Sequence, residues 1–120
     1  MQKLARREEQ IMQALWHLEK AFVKDIIAEL PDPKPHYNSV ATMVRILEEK
    51  GFMDHESFGN SFRYFPRVSK EDYQRHTLGD IVKQYFNNSY PSMLAFFAKE
   101  EKISKTDMEE ILHLIQSKKP

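Results

Sequence analysis

Between Glu8 and Leu18, apolar side chains recur at helical intervals. Ile11, Met12, Leu15, Trp16 and Leu18 share one broad face, which predicts an amphipathic helix packed inward. Past Glu19 and Lys20 a second set, Val23, Ile26, Ile27 and Leu30, repeats at i, i+3, i+4 and i+7. Pro31, Pro33 and Pro35 forbid its continuation, because proline lacks the amide donor and clashes with the preceding turn. A third helix is expected to begin near His36 to Asn38 and to run to Lys50. Gly51 closes it, being the residue that best tolerates the left-handed conformation at a helix end. Beyond it the period drops to two, with Phe62 and Tyr64 alternating against Arg63. Phe58-Gly59-Asn60-Ser61 supplies the turn of a β-hairpin.

Strand signals stop after Val68, and the remainder reads as helix. Ser69 with Asp72 three residues on has capping-box spacing, and Leu78, Ile81, Val82, Tyr85 and Phe86 form the apolar face that follows. Asn87-Asn88-Ser89 ends that helix. Pro91 suits an early helical position ahead of Met93, Leu94, Phe96 and Phe97, and Ser104 with Asp107 starts a last helix carrying Met108, Ile111, Leu112 and Ile115. The expected organisation is therefore a mostly α chain with a small β-hairpin, residues 1–68 forming a head and residues 69–120 a helical arm. Three short helices followed by a hairpin is the order of a winged helix-turn-helix, whose third helix enters the DNA major groove while the wing reaches the backbone.

With 120 residues the chain can hold one ordinary domain, or a smaller one with an appendage, and its 41% hydrophobic content is enough for a folded core. It has no apolar run near the ~20 residues that cross a bilayer, and its first residues lack a signal-peptide core, so a cytoplasmic location is expected. Cysteine is absent, which rules out disulfides and thiolate metal sites. Eighteen basic residues balance eighteen acidic ones, which speaks against a partner held by bulk charge alone. Locally the balance breaks. From Pro33 to Leu47 the charges are Lys34 and Arg45, and from Ser57 to Lys70 they are Arg63, Arg67 and Lys70, with no carboxylate in either stretch.

The third helix separates two faces, an apolar one of Val40, Met43, Val44 and Leu47 and a polar one of Asn38, Thr42 and Arg45. Asn can pair with adenine and Arg with guanine, either can hold phosphate, and a Thr methyl can touch thymine. The same residues could be the solvated side of an ordinary amphipathic helix, and Arg63 and Arg67 ordinary strand-surface arginines. The absence of acid from the helix until Glu48 and Glu49, joined to two arginines about a Gly-Asn turn, favours a DNA-reading surface.

Glu9 to Trp16, Asn38 to Phe52 and the helical tail from Pro91 to Ile115 resemble the BlaI/MecI/CopY family of bacterial repressors over nearly the whole chain. The resemblance implies a homodimeric transcriptional repressor of an inverted-repeat operator in double-stranded DNA. It assigns base or phosphate contact to Asn38, Ser39, Ala41, Thr42 and Arg45, beside the wing's Arg63 and Arg67. It also makes the arm a dimerisation element, with Tyr90, Met93, Leu94, Phe97, Met108, Ile111, Leu112 and Ile115 as its contacts. Some of these could instead be a private core. In the antibiotic-resistance branch a membrane sensor with a metalloprotease domain triggers cutting of the arm, and the corresponding bond here is Phe96-Phe97, a pair that packing alone would also explain. The copper-sensing branch carries cysteines and is excluded.

Nothing in the chain reads as an enzyme. His17, His36, His55, His76 and His113 are scattered without metal-site spacing, three glycines make no phosphate loop, and neither a cofactor nor a metal is expected. Two other uses fit the same elements: a winged-helix module that docks another protein, and a MarR-like regulator gated by a small ligand.

Overall fold

Helix α1 spans Arg6–Leu18 and is capped from within, since no side chain at Ala5 can accept its first amides. Glu8 instead reaches back to the Ala5 N–H at 2.9 Å, and Asp25 does the same for the Phe22 N–H at the start of α2 (Val23–Glu29). Helix α3 covers Tyr37–Glu49. Its last turn closes into Gly51, whose φ of +84° is the left-handed conformation that side-chain-bearing residues avoid. The chain then forms an antiparallel hairpin, β1 (Met53–Phe58) and β2 (Ser61–Pro66), in the register Met53 to Pro66 through Phe58 to Ser61. Gly59, φ +62°, takes the first of the two loop positions, where primed hairpin turns need it.

The computed structural model describes residues 1–117 and separates into two units, a head running through Thr77 and an arm starting at Leu78. All the helices expected from the sequence are present, with the hairpin between the third and fourth. In the head, one cluster joins Ile11, Met12 and Leu15 of α1, Ile26 of α2 and Val40, Val44 and Leu47 of α3 to Phe52, Met53 and Tyr64 of the hairpin. Paired amide and carbonyl bonds between Ala21 and Tyr64, 2.9 and 2.7 Å, add a one-residue third strand that holds the wing against the turn between α1 and α2.

Helix α4 (Lys70–Tyr85) is capped by the Ser69 hydroxyl, which accepts the Asp72 N–H at 3.0 Å as the capping spacing predicts. Tyr73, in its first turn, joins the head core and donates its hydroxyl to Glu9 at 2.9 Å. Trp16 is only half-buried. Its ring packs on Tyr73, centroids 5.5 Å apart, and its indole N–H donates to the Val68 carbonyl at 2.9 Å. In the arm, left-handed Asn87 and Asn88 end α4, and Ser89 caps α5 (Tyr90–Lys99), accepting the Ser92 N–H at 3.1 Å. Ser104 and Asp107 cap α6 (Lys105–Ser117) reciprocally. None of the described helices is long and apolar enough to cross a membrane.

One ion pair fastens the two ends of the three-helix head. Lys50, just past α3, donates to Glu8 of α1 at 2.7 Å, and the carboxylate is almost wholly buried. Burial alone would raise the Glu8 pKa, but the bonds from Lys50 and the Ala5 amide outweigh it and hold the group below its ordinary value. A carboxyl lowered on folding contributes stability above its unfolded pKa and loses it as pH falls through the folded one. Glu8→Gln is therefore expected to cost about 1 to 3 kcal/mol at neutral pH. The deficit should shrink as the pH falls through the lowered pKa of the native carboxyl, where that group also protonates. Paired thermal melts across that range check it, and a deficit independent of pH would assign the loss to packing.

Candidate nucleic-acid interface

Helix α3 buries Val40, Val44 and Leu47, and this alone fixes which side faces outward. Asn38, Ser39, Thr42 and Arg45 are all exposed and Ala41 is half-buried. The Thr42 hydroxyl donates to the Asn38 carbonyl at 2.9 Å, so its donor is used within the helix and its methyl and lone pairs remain for a partner. Among the described residues Arg45 makes no ion pair, whereas Arg63, Arg67 and Arg75 each rest on a carboxylate.

A groove of about 740 Å³ lies where this helix meets the wing, lined by Phe22, Lys24, Tyr37, Arg45, Asn60 and Phe62 among others. Lys24 and Arg45 bring positive charge to it, and the rings of Phe22, Tyr37 and Phe62 bring flat apolar surface. Cations and flat apolar rings side by side are the chemistry that phosphates and sugars call for, although Glu48 also brings a carboxylate to the same groove. Exposed Phe58 and Phe62 on the wing are part of the same surface.

The wing arginines are less free than the linear stretch suggested. Strand pairing sets Glu56 opposite Arg63, and Arg63 Nε and Nη2 donate to Glu56 Oε1 at 2.8 and 2.5 Å. Lys20 approaches the same oxygen at 3.4 Å, so two cations share one carboxylate and the cluster keeps an excess positive charge. The Arg63 bond is the chief reason the Glu56 carboxyl sits below its usual range. Arg63 also lies 4.9 Å over the Phe58 ring. Arg67 stands 3.7 Å from Asp54 with most of its side chain in solvent. Sequence stretches free of acid thus acquire acid from the partner strand.

The fold also gathers a group that linear spacing did not show. Glu48 in the last turn of α3 and Asp54 and His55 at the start of β1 come together, with one ligand atom from each within 4.8 Å of the others. His55 Nδ1 lies 2.5 Å from Glu48 Oε2, and its ring stacks on Phe62 at 4.1 Å. The Asp54 carboxyl is held low, first by the His55 amide and then by Arg67. The available signal was Glu48 and His55 on either side of a glycine-closed helix end.

In the arm, Val82 alone is fully buried among the described residues from Leu78 on. Of the expected dimer contacts, Tyr90, Leu112 and Ile115 are more than half exposed, Phe97, Met108 and Ile111 more than a third, and Met93 and Leu94 half-buried. Leu114, absent from the expected set, is 58% exposed. Phe96 touches Phe86 and Phe97 edge to face, and the Phe96-Phe97 bond lies inside α5.

Residues 4–117 match the family described as penicillinase repressor. The methicillin resistance regulatory protein MecI of Staphylococcus aureus is 22% identical over 117 residues, 97% of this chain and 95% of the relative. The penicillinase repressor of Bacillus licheniformis is 23% identical over 117 residues, 93% and 88% of the two chains. A solved CopR repressor structure aligns with a TM-score of 0.46 at 27% identity, covering 54% of this chain and 96% of that one.

Proposed function

The chain belongs to the penicillinase repressor family, and from that premise we propose that it acts in the cytoplasm as a homodimer whose two heads occupy the half-sites of an inverted-repeat operator. Membership makes it a DNA-binding transcriptional repressor rather than an enzyme, and the protein-docking and ligand-gated readings give way to it. The observation that carries the assignment of the reading face is Arg45. It is an exposed guanidinium on the outward side of α3 with no carboxylate paired to it among the described residues, next to Asn38, Ser39, Ala41 and Thr42. Leaving such a group unpaired is consistent with an external anion or a guanine edge as its partner. Arg63 and Arg67 serve as backbone contacts, weakened by the carboxylates beside them. The arm supplies the two-fold axis, since its apolar side chains lack cover within one chain and an isologous contact would hide them on both copies.

Release of repression through the Phe96-Phe97 bond, by a protease under a membrane sensor, requires a further step. The bond is helical, so α5 must open locally before an extended-chain protease can grip it. Hydrophobic contact across the dimer explains both rings without that step.

Anisotropy titration with the chain's own upstream DNA tests the reading face. Arg45→Ala is expected to cost about 1 to 3 kcal/mol of specific affinity if it reads a base, and less, equally on all sequences, if it holds phosphate. Asn38→Ala should relax the preference at one base position per half-site. Specific binding unchanged by both substitutions would sink the assignment.

A further inference from the structure

We propose that Glu48, Asp54 and His55 form a binding site for a divalent transition-metal ion of the zinc class, one that clamps the end of the recognition helix to the root of the wing. The three come from two elements, and the left-handed turn at Gly51 folds one back on the other. Their ligand atoms already converge within 4.8 Å, and all three residues are half-buried rather than waving in solvent. Zinc binds oxygen and nitrogen at about 2.0 to 2.2 Å, so a tetrahedral site brings its ligand atoms to roughly 3.3 Å from one another. Side-chain rotation closes the difference, and His55 binds the ion through Nδ1 as the neutral imidazole tautomer that carries its hydrogen on Nε2.

Two further features prepare the site. The His55 ring is fixed by aromatic contact on Phe62 at 4.1 Å and Tyr64 at 5.7 Å, so its Nδ1 is already directed at Glu48. One oxygen from each of the Asp54 and Glu48 carboxylates lies within 4.8 Å of the other and of a His55 ring nitrogen, so two anionic ligands and one neutral ligand are within reach of a single cation. The guanidinium nearby, Arg67, is 3.7 Å from Asp54 and mostly in solvent, so it can swing aside. One imidazole with two carboxylates suits a borderline ion and not Mg²⁺ or Ca²⁺, which take oxygen alone. Three protein ligands leave a position open.

A consequence for DNA follows if α3 is the reading helix, and this part rests on that reading. Glu48 lines the same groove as Arg45 and its carboxylate opposes phosphate there, and an ion held by Glu48, Asp54 and His55 offsets that charge, so the metal should tighten operator binding.

Titration of the full chain with ZnCl₂, without DNA, decides the site. One ion per chain is expected, with affinity reduced about tenfold or more by His55→Gln and by Asp54→Asn. His17→Gln, which removes an imidazole paired with Glu29 away from the cluster, should leave it unchanged. Absence of zinc binding, binding that survives both His55→Gln and Asp54→Asn, or equal competition by MgCl₂ would overturn the proposal and leave an internal helix-to-strand clasp. Anisotropy with and without zinc then tests the coupling, which predicts several-fold tighter operator binding in the native chain and no response in His55→Gln. Zinc binding with unchanged operator affinity overturns the coupling alone. A chain that binds zinc yet never binds its operator points instead to failure of the α3 reading.

Discussion

Ending the chain at Asn88 is expected to give a head that folds, sediments as a monomer and binds its operator about 10² to 10⁴ times more weakly than the intact protein. The head keeps its stability because, among the described residues, its buried core draws on positions from Leu4 to Tyr73. On the proposed dimer it loses affinity because one head spans too few base pairs to be selective, whereas two heads joined through their arms would bind half-sites roughly 10 base pairs apart as a single event. What remains should be weak, salt-sensitive attachment through Arg45, Arg63 and Lys24. Sedimentation of residues 1–88 beside the full chain at micromolar concentration decides the matter. A truncated protein that still forms dimers, or an intact one that does not, removes the arm from this account.

The second large effect belongs to the core. Leu47 is fully buried on α3, and Leu47→Ala is expected to cost about 2 to 5 kcal/mol of folding stability, the transfer of the lost methyls plus the cavity they leave. For a domain of this size each kcal/mol moves the midpoint by about 4 to 8 °C. The melting temperature of the head should therefore fall by about 8 to 40 °C on the same relation. Operator binding measured well below the new midpoint should keep its salt dependence and its preference among sequences. Arg45→Ala should do the reverse, leaving the melt in place and changing the binding. An unchanged melt in Leu47→Ala would mean that α3 is not seated as described.

These two residues lie two positions apart, and their separation into core and surface was legible from the 3.6-residue period alone. The three head helices, the glycine that ends the third, the Gly-Asn turn and the serine caps at 69 and 104 were legible for the same reason. Each rests on contacts between residues a few positions apart. Relations made by the tertiary fold were not legible. Phe52 and Met53 enter the core from a segment too short to show a period, and Tyr73 from the first turn of α4, ahead of the apolar face read for that helix, while Trp16, which the pattern placed inside, is left half-buried because its indole N–H must find a carbonyl. The pairing of Arg63 with Glu56 depends on hairpin register, and the meeting of Glu48 with His55 on the path of the chain after Gly51. On the arm, periodicity groups apolar side chains on one side of each helix, but most of them are exposed in the single chain, and a pattern does not tell what covers them.

Trp16 is the chain's single tryptophan, and its setting makes it a native optical probe. The indole N–H bond to the Val68 carbonyl and the Tyr73 ring 5.5 Å away tie its emission to the place where α4 leaves the head. Light absorbed by that tyrosine will pass to the indole while the two tilted rings lie 5.5 Å apart and will pass less once α4 detaches. The difference in the ratio of the two emissions between the native chain and Tyr73→Phe, which removes this one of the five tyrosines, therefore follows the anchoring of α4 without a label, in the free protein and on DNA, since neither ring lies on the outward face of α3.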